Sequence, residues 1–208
     1  MTGKHVLMVE GPDDEHVVKH ICGSRQLGRI ENIFPYGGKD PLISGIGVRL
    51  KESDIAVLGI ILDADTDIQA RWQAVSSRLS GAGYKEVPGA PSPEGTIIES
   101  PVGTLLPKVG VWLMPNNQLP GILEDFLHFL VPNGDGLLAH VDQSIKSIPP
   151  EHIKFLDLNK PKARIHTWLA WQEEPGKPFG VAISARYLNP NLPAADIFAN
   201  WLHRTFFS

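Results

Sequence analysis

Short apolar runs alternate with longer amphipathic segments through the first two thirds of the chain. The runs with the length of strands are His5 to Val9, Ile30 to Tyr36, Leu58 to Leu62 and Lys108 to Met114. Every residue from Leu58 to Leu62 is apolar or small, which is typical of a strand buried on both faces of a parallel sheet. The third strand is therefore predicted to lie in the interior of the sheet.

The segments between these strands repeat apolar side chains every three or four residues, as amphipathic helices do. The predicted helices are Asp13 to Cys22, Pro41 to Glu52, Ile68 to Leu79 and Ile122 to Val131. Four alternations of strand and helix predict an α/β fold with a doubly wound, mainly parallel sheet and helices on both faces. Residues 88–107 hold five prolines around Thr96-Ile97-Ile98, which predicts a loop with a short edge strand or hairpin.

The strand pattern stops near Asp135, and the remaining sequence is predicted to be mainly helical. Its apolar stripes, such as Ile165-Trp168-Leu169 and Ile197-Trp201-Leu202, are too few to form a separate core. We therefore expect an α/β core over residues 1–134 and a helical C-terminal extension over residues 135–208. The extension should pack on the core, so that the chain forms one structural domain.

The amino-acid composition argues against several classes of protein. The chain has 208 residues, a net charge of −4 and one cysteine, Cys22, which excludes an internal disulfide and suits a reducing compartment. A net negative charge argues against a protein that passively coats DNA. The sequence has no apolar run long enough to span a bilayer and starts without a signal-peptide pattern. These features predict a cytoplasmic protein without a membrane partner.

Three aspartates follow the third strand at alternate positions: Asp63, Asp65 and Asp67. A buried parallel strand delivers such residues to the carboxyl edge of the sheet, where open α/β folds bind ligands. Close carboxylates repel one another unless a cation shares their charge, and oxygen-only ligands favour Mg²⁺ or Mn²⁺ over zinc. We therefore expect Asp63 and Asp65 to bind a divalent cation and Asp67 to cap the next helix.

A glycine pair before a lysine, Gly37-Gly38-Lys39-Asp40, invites comparison with a phosphate-binding loop. The upstream glycine and the Ser or Thr after the lysine are both missing, so this segment is not a Walker motif. Lys39 is instead predicted to lie in a turn near the edge of the sheet.

Two fragments together resemble the Toprim domain of topoisomerases, primases and OLD-family nucleases. They are Val9-Glu10-Gly11 after the first strand and Asp63-x-Asp65 after the third. Gly121-Ile-Leu-Glu124 resembles a later Gly-x-x-Glu of OLD-family members, and Lys162 in Lys160-Pro-Lys162-Ala matches their further lysine. The chain is also similar to a small stand-alone Toprim-like family of unknown function. That similarity lies in Met114-Pro-Asn-Asn117 followed by Gly121-Ile-Leu-Glu-Asp125, and in the helix Thr167-Trp-Leu-Ala-Trp171.

The resemblance implies a metal-dependent nuclease or a related phosphoryl-transfer enzyme that acts on nucleic acid, DNA in preference to RNA. Glu10, Asp63, Asp65 and Glu124 would hold Mg²⁺ or Mn²⁺, and Lys162 or Lys39 would offset the charge of the scissile phosphate. Two divalent ions about 4 Å apart can stabilise both the attacking and the leaving oxygen. Because no Walker ATPase accompanies the domain, a nucleotide-driven step would need a separate ATPase chain.

Two other functions stay open at this point. One is a non-catalytic Toprim-like module that binds a nucleotide or a partner protein, for example in a phage-defence complex. The other is a primase, which is disfavoured because the single cysteine leaves no zinc ribbon. The geometric expectations are that Glu10, Asp63 and Asp65 converge at one sheet edge and that Glu124 lines the same acidic pocket. Asp125 is expected to face solvent or cap its helix.

Overall fold

The computed structural model of the protein describes residues 3–208, which form a five-stranded sheet flanked by helices. The strands are β1 (Lys4–Val9), β2 (Asn32–Pro35), β3 (Ile55–Asp63), β4 (Thr96–Ile98) and β5 (Lys108–Met114). Their order across the sheet is β2-β1-β3-β5-β4. All neighbouring strands are parallel except β4, which runs antiparallel along the outer edge of β5. The predicted doubly wound, mainly parallel sheet is confirmed.

Helices connect the strands and make up most of the C-terminal third. They are α1 (Pro12–Ser24), α2 (Lys39–Arg49), α3 (Ile68–Ala82), α4 (Leu123–His128), α5 (Gly136–Ser147), α6 (Lys160–Ala170), α7 (Phe179–Ser184) and α8 (Pro193–Phe206). Two 3-10 turns, Pro150–His152 and Asp157–Asn159, lie between α5 and α6. Within residues 3–208, none of the helices combines the length and the apolar composition that crossing a bilayer requires.

Element boundaries differ from the sequence-based prediction mainly at helix and strand ends. Helix α2 starts at Lys39, two residues earlier than predicted, because Gly38 adopts a φ of 129° and forms its N-cap. Strand β2 covers only Asn32–Pro35, although Ile30 before it is buried in the core. Helix α4 ends at His128, three residues before the predicted end, since the following residues form turns.

The two faces of the sheet are covered by different parts of the chain. Along β1, Val6 and Met8 point to the face covered by α2 and α3, while Leu7 and Val9 point to the opposite face. That opposite face is covered by α1 together with the helices of the C-terminal extension. Both faces are therefore buried, as the unbroken apolar sequence of β3 predicts.

The C-terminal extension has no core of its own and shares the core of the sheet. Phe198 and Trp201 of α8 pack on Trp112 of β5, with ring centroids 5.0 and 5.6 Å apart. Phe198 also contacts Phe126 of α4 in an edge-to-face arrangement at 5.1 Å. Aromatic pairs of this kind contribute beyond the area they bury. Residues 135–208 thus complete the face of the sheet that α1 leaves uncovered.

A pair of glycines lets α8 lie directly on the sheet. Gly59 of β3 and Gly110 of β5 are partners in the strand register. The end of α8 places Phe206 over Gly59 and Thr205 over Gly110, where a Cβ atom on Gly110 would lie 2.5 Å from the Thr205 side chain. A side chain at either position would collide with α8, so glycine is required at both for the helix to lie this close to the sheet.

The connections of β1 create a crevice at the carboxyl edge of the sheet. The chain leaves β1 through α1 to reach β2 on one side, and then passes through α2 to β3 on the other side. In open α/β sheets, the point where neighbouring connections diverge in this way is the usual ligand site. Here that point lies between the ends of β1 and β3, which Glu10 and Asp63 occupy.

Candidate functional site

Glu10 and Asp63 are joined directly across the crevice between β1 and β3. The Glu10 carboxylate accepts a hydrogen bond from the backbone N–H of Asp63, with Oε1 and N 2.8 Å apart. The Asp63 carboxylate in turn accepts from the backbone N–H of Leu123, the first residue of α4, at 2.9 Å. The two predicted acids therefore meet at one edge of the sheet and tie α4 to it.

Asp65 has a left-handed backbone conformation, with a φ of 53°. Its backbone exchanges two hydrogen bonds with Gly121, of 2.9 and 2.7 Å, in an isolated antiparallel bridge. Aspartate is one of the residues that tolerate this conformation. Gly121 has a φ of 146°, and a Cβ atom there would lie 2.7 Å from Asp125 Oδ2, so glycine is needed. This bridge positions the start of α4 beside the end of β3.

The Asp65 side chain is held by two cations. Its Oδ2 lies 2.9 Å from Lys39 Nζ and 2.6 Å from Arg71 Nη2. The Arg71 Nε also donates to the backbone carbonyl of Asp63 at 2.9 Å. Lys39 lies near the sheet edge as predicted, but it is the first residue of α2 and does not lie in a turn. Arg71 was not predicted, because a single arginine in an amphipathic helix is usually a solvent-exposed charge.

Glu124 comes from the first turn of α4 and is only 6% exposed. Its nearest cation is Lys162 on α6, whose Nζ lies 3.6 Å from Glu124 Oε1. Lys162 is half exposed, so the pair is open to solvent on one side. The predicted Lys162 thus reaches the site from the C-terminal extension.

The neighbouring aspartates Asp67 and Asp125 act as helix caps. Asp67 accepts from the backbone N–H of Ala70 at 2.9 Å, as predicted. Asp125 accepts from the backbone N–H of Ile122 at 2.9 Å and is partly buried, so the expectation that it faces solvent is wrong. The backbone at the start of α4 needs acceptors, and Asp125 supplies one.

Asp14 is a further acid at this edge, and it was not among the predicted site residues. It is 6% exposed, and its Oδ2 accepts from the backbone N–H of Gly11 at 2.9 Å. Among three consecutive acids in the first turn of α1, it resembles a charge that stabilises the helix dipole. Its spacing from Val17, Val18 and Ile21 places it on the buried stripe of α1, which is the signal that distinguishes it.

Burial and mutual repulsion perturb the acids of this site. Burial, followed by the charges of Asp14, Glu10 and Glu124, raises the pKa of Asp63 to about 9. Burial, with the charges of Glu10 and Glu124, raises the pKa of Asp14 to about 7. The pKa of Glu10 is also raised, chiefly by burial, although the hydrogen bond from Asp63 opposes the shift. These acids therefore do not all ionise at neutral pH without an added cation.

The chemistry of the acidic site fits a hard divalent cation. Its side-chain ligands are carboxylates, and its five acids, Glu10, Asp14, Asp63, Asp65 and Glu124, outnumber its three cations, Lys39, Arg71 and Lys162. As they stand, no three His, Cys, Asp or Glu side chains within residues 3–208 form a group that could hold a metal ion. An ion would therefore have to displace the Asp63 proton and draw the carboxylates together.

Comparison with curated proteins gives no match, and comparison with solved structures gives none either. The sequence model of a family described as "Protein of unknown function (DUF3226)" matches residues 4–207. This span includes the whole sheet, the acidic site from Glu10 to Lys162 and the helices of the C-terminal extension. The chain belongs to the DUF3226 family.

Proposed function

We propose that this protein is a Mg²⁺- or Mn²⁺-dependent nuclease, or a related phosphoryl-transfer enzyme, that acts on nucleic acid. The observation that carries this proposal is the crowding of buried acids at the crevice between β1 and β3, with cations at its rim. A site of this composition suits a phosphodiester, because the acids can bind a divalent ion while the cations bind phosphate oxygens.

The resemblance to Toprim domains supports the same reaction. The matching residues, Glu10 and Asp63-x-Asp65, follow β1 and β3, which are neighbours in the sheet. The additional matches, Glu124 and Lys162, lie 3.6 Å apart at the same edge. Residues that are far apart in sequence thus lie at one edge of the sheet, which supports the proposal.

The proposed roles follow from the contacts. Glu10, Asp63 and Glu124 would hold the ion, and Asp65 would join them on release from Lys39 and Arg71. The bound ion would stabilise negative charge on the attacking and leaving oxygens. Lys39 and Lys162 are both substantially exposed and would contact the phosphate. If Glu10 does not bind the ion, it could instead act as the general acid or base.

The proposed substrate is DNA in preference to RNA, in the cytoplasm. A net charge of −4 gives the protein no overall attraction for a polyanion. We therefore propose that a partner chain, such as a separate ATPase, supplies further DNA contacts.

A non-catalytic binding module is the second candidate, and one observation favours it. Asp65 Oδ2 is already paired with Lys39 and Arg71, and such a pair neutralises an acid that a catalytic ion would use. In this function, the site would bind a nucleotide or a partner protein without cleaving a phosphodiester.

A cleavage assay distinguishes the proposed nuclease from a non-catalytic binding module. Purified full-length protein is incubated with supercoiled plasmid and with labelled single- and double-stranded oligonucleotides, in Mg²⁺, Mn²⁺ or EDTA. We expect slow nicking or degradation in Mg²⁺, at least equal activity in Mn²⁺, and none in EDTA. Asp63→Asn should reduce the rate by about 100-fold or more, and adding Glu10→Gln should cost little more, because cooperating groups are not additive.

Asp67→Asn is the matched control, since asparagine caps a helix nearly as well as aspartate. It should cleave at the wild-type rate. Cleavage that persists in EDTA, or in the Asp63→Asn variant, would contradict the proposed site. Metal binding measured by calorimetry, with no cleavage of any substrate, would favour the binding module.

A further inference from the structure

A cavity of about 500 Å³ lies beside the acidic site, between the ends of β5 and α4 and the start of α8. Small-molecule sites have volumes of about 300–1,000 Å³, so this cavity has the size of a ligand site. Its walls include Trp112, Pro115, Gln118, His128, Phe129 and Ile197. Phe129 and Ile197 are 38% and 41% exposed, which leaves apolar surface uncovered where the cavity opens.

The lining of this cavity is apolar and uncharged. Prolines and aromatic rings provide flat surfaces, and the polar side chains are the amides of Asn116, Gln118 and Asn133 and the imidazole of His128. Burial lowers the pKa of His128 to about 4, so the imidazole is neutral at physiological pH. Neither an acidic nor a basic side chain lines this cavity among the residues that the structure describes. The lining therefore favours a neutral ligand over a phosphate or another ion.

Two polar atoms of lining residues lack hydrogen-bond partners within residues 3–208. They are Nε2 of His128 and Nε1 of Trp112, and both atoms are buried. Trp112 is only 1% exposed, so water does not readily reach its N–H. Most buried polar atoms in proteins have a partner, so these two atoms call for an explanation such as a bound ligand or a water molecule.

The cavity and the acidic site share two structural elements. His128 lies one helical turn after Glu124 on α4, which corresponds to a rise of about 6 Å. Pro115 packs beside Gly121, where a Cβ atom would lie 3.0 Å from Pro115 Cδ. Gly121 is bridged to Asp65 of the acidic site. Lining residues of the cavity are thus connected to Glu124 by one helical turn and to Asp65 through Gly121.

We propose that this cavity binds a nucleobase, which is the substrate group that would lie next to the cleaved phosphodiester. A base is flat, neutral and apolar on its faces, and these properties match the prolines and the exposed ring of Phe129. Its edges carry hydrogen-bond donors and acceptors, which match the amide of Gln118 and the Nδ2 of Asn116. The Oδ1 of Asn116 already accepts from the backbone N–H groups of Gln118 and Leu119. The proposal rests on the proposed function for the source of the base, an unstacked nucleotide of a DNA strand.

Titration with nucleosides tests the cavity separately from catalysis. The full-length protein in EDTA is titrated with each of the four deoxynucleosides, and binding is measured by calorimetry and tryptophan fluorescence. We expect at least one of them to bind. Ala194→Phe, which adds a ring at a lining position, should weaken binding at least about 10-fold. Ala185→Phe at the exposed end of α7 is the control and should bind as the wild type does.

A second variant keeps the test valid if Ala194→Phe does not fold. Gln118→Leu nearly preserves the side-chain size and removes the amide. It should therefore weaken the binding of the same nucleoside and leave the melting temperature of the protein unchanged. Equal binding by the wild type and both variants, or no binding of any deoxynucleoside at millimolar concentration, would overturn the proposal.

Oligonucleotides distinguish a base within a strand from a free nucleoside. A single-stranded oligonucleotide should bind more weakly to the protein in EDTA when its bases are replaced by abasic sites. Equal binding of intact and abasic strands would overturn the DNA strand as the source of the base. The Asp63→Asn variant should bind nucleosides as the wild type does. Nucleoside binding by the wild type with no cleavage of any substrate in Mg²⁺ or Mn²⁺ would refute the nuclease proposal alone. Cleavage without nucleoside binding would refute the cavity proposal alone.

Discussion

Replacing Asp63 by asparagine is expected to stabilise the metal-free protein at neutral pH. Asp63 is largely buried beside Glu10, Asp14 and Glu124, whose charges oppose its ionisation. Asparagine has nearly the same shape, and its Oδ1 can still accept the hydrogen bond that Leu123 donates to Asp63. The substitution therefore removes a repelled charge while it preserves the contact that positions α4.

The size of the effect follows from the raised pKa. The Asp63 pKa rises from 3.8 to about 9, so the folded protein keeps a proton that the unfolded chain loses above about pH 4. The wild type then loses stability by about 1.4 kcal/mol for each pH unit between these two values, or up to about 5 kcal/mol at pH 7.5. Asparagine does not titrate. The amide of asparagine replaces the protonated carboxyl imperfectly. We therefore expect the free energy of unfolding of Asp63→Asn to exceed that of the wild type by about 2 kcal/mol at pH 7.5.

Urea unfolding in EDTA, followed by circular dichroism at pH 4.5 and pH 7.5, measures this gain. Asp65→Asn is the matched control, because asparagine also tolerates the left-handed conformation of that position. Asp65 is paired with Lys39 and Arg71, so its neutralisation should reduce the stability by about 1 kcal/mol. Two aspartates separated by one residue should thus respond with opposite signs.

A less stable Asp63→Asn variant at pH 7.5 in EDTA would refute the reasoning. A gain in stability of equal size at pH 4.5 and pH 7.5 would also refute the reasoning. Proton linkage requires the stability difference between Asp63→Asn and the wild type to grow with pH. Adding Mn²⁺ extends the test, since a cation that binds the folded protein raises its stability by mass action. Manganese should stabilise the wild type and have much less effect on Asp63→Asn.

Two further expectations concern the C-terminal extension. Gly110→Ala should reduce the unfolding free energy by about 1–3 kcal/mol, because its Cβ atom would collide with Thr205, whereas Gly47→Ala in open space within α2 should be neutral or slightly stabilising. Chemical denaturation compares them, and equal effects would contradict the close docking of α8. Truncation after Asn133 should yield a protein that aggregates or melts without cooperativity. It uncovers Trp112 and the rest of the sheet face that α1 and the C-terminal extension cover together. A soluble truncated form with the full-length melting temperature would contradict this.

The location of the acidic site could be predicted from the sequence because strand ends are local features. Leu58 to Leu62 are apolar without interruption, and Asp63 ends the strand that contains them. Glu10 follows β1 in the same way. All parallel strands present their carboxyl ends at one edge, so both acids had to reach the same edge. Their direct hydrogen bond depends further on β1 and β3 being neighbours, which the sequence pattern does not determine.

The two residues that were missed, Asp14 and Arg71, resemble ordinary surface charges of a helix in the sequence, and the cavity was missed for a different reason. Asp14 has the sequence signature of a helix-dipole charge, and only its place on the buried stripe of α1 distinguishes it. Arg71 reaches Asp65 because α3 starts immediately after the turn at Asp65. The cavity requires the start of α8 to dock beside the end of β5. No local pattern in the sequence carries that information.

The C-terminal extension contributes to the acidic site as well as to the core. Lys162 of α6 lies beside Glu124, and Trp168 of the same helix is buried in the core that covers the sheet. The position of Lys162 is therefore set by packing that also involves β5 and α8. Substitutions that loosen α8, such as Gly110→Ala, should consequently perturb the acidic site although they lie on the face of the sheet. The family match likewise extends through both parts of the chain, over residues 4–207.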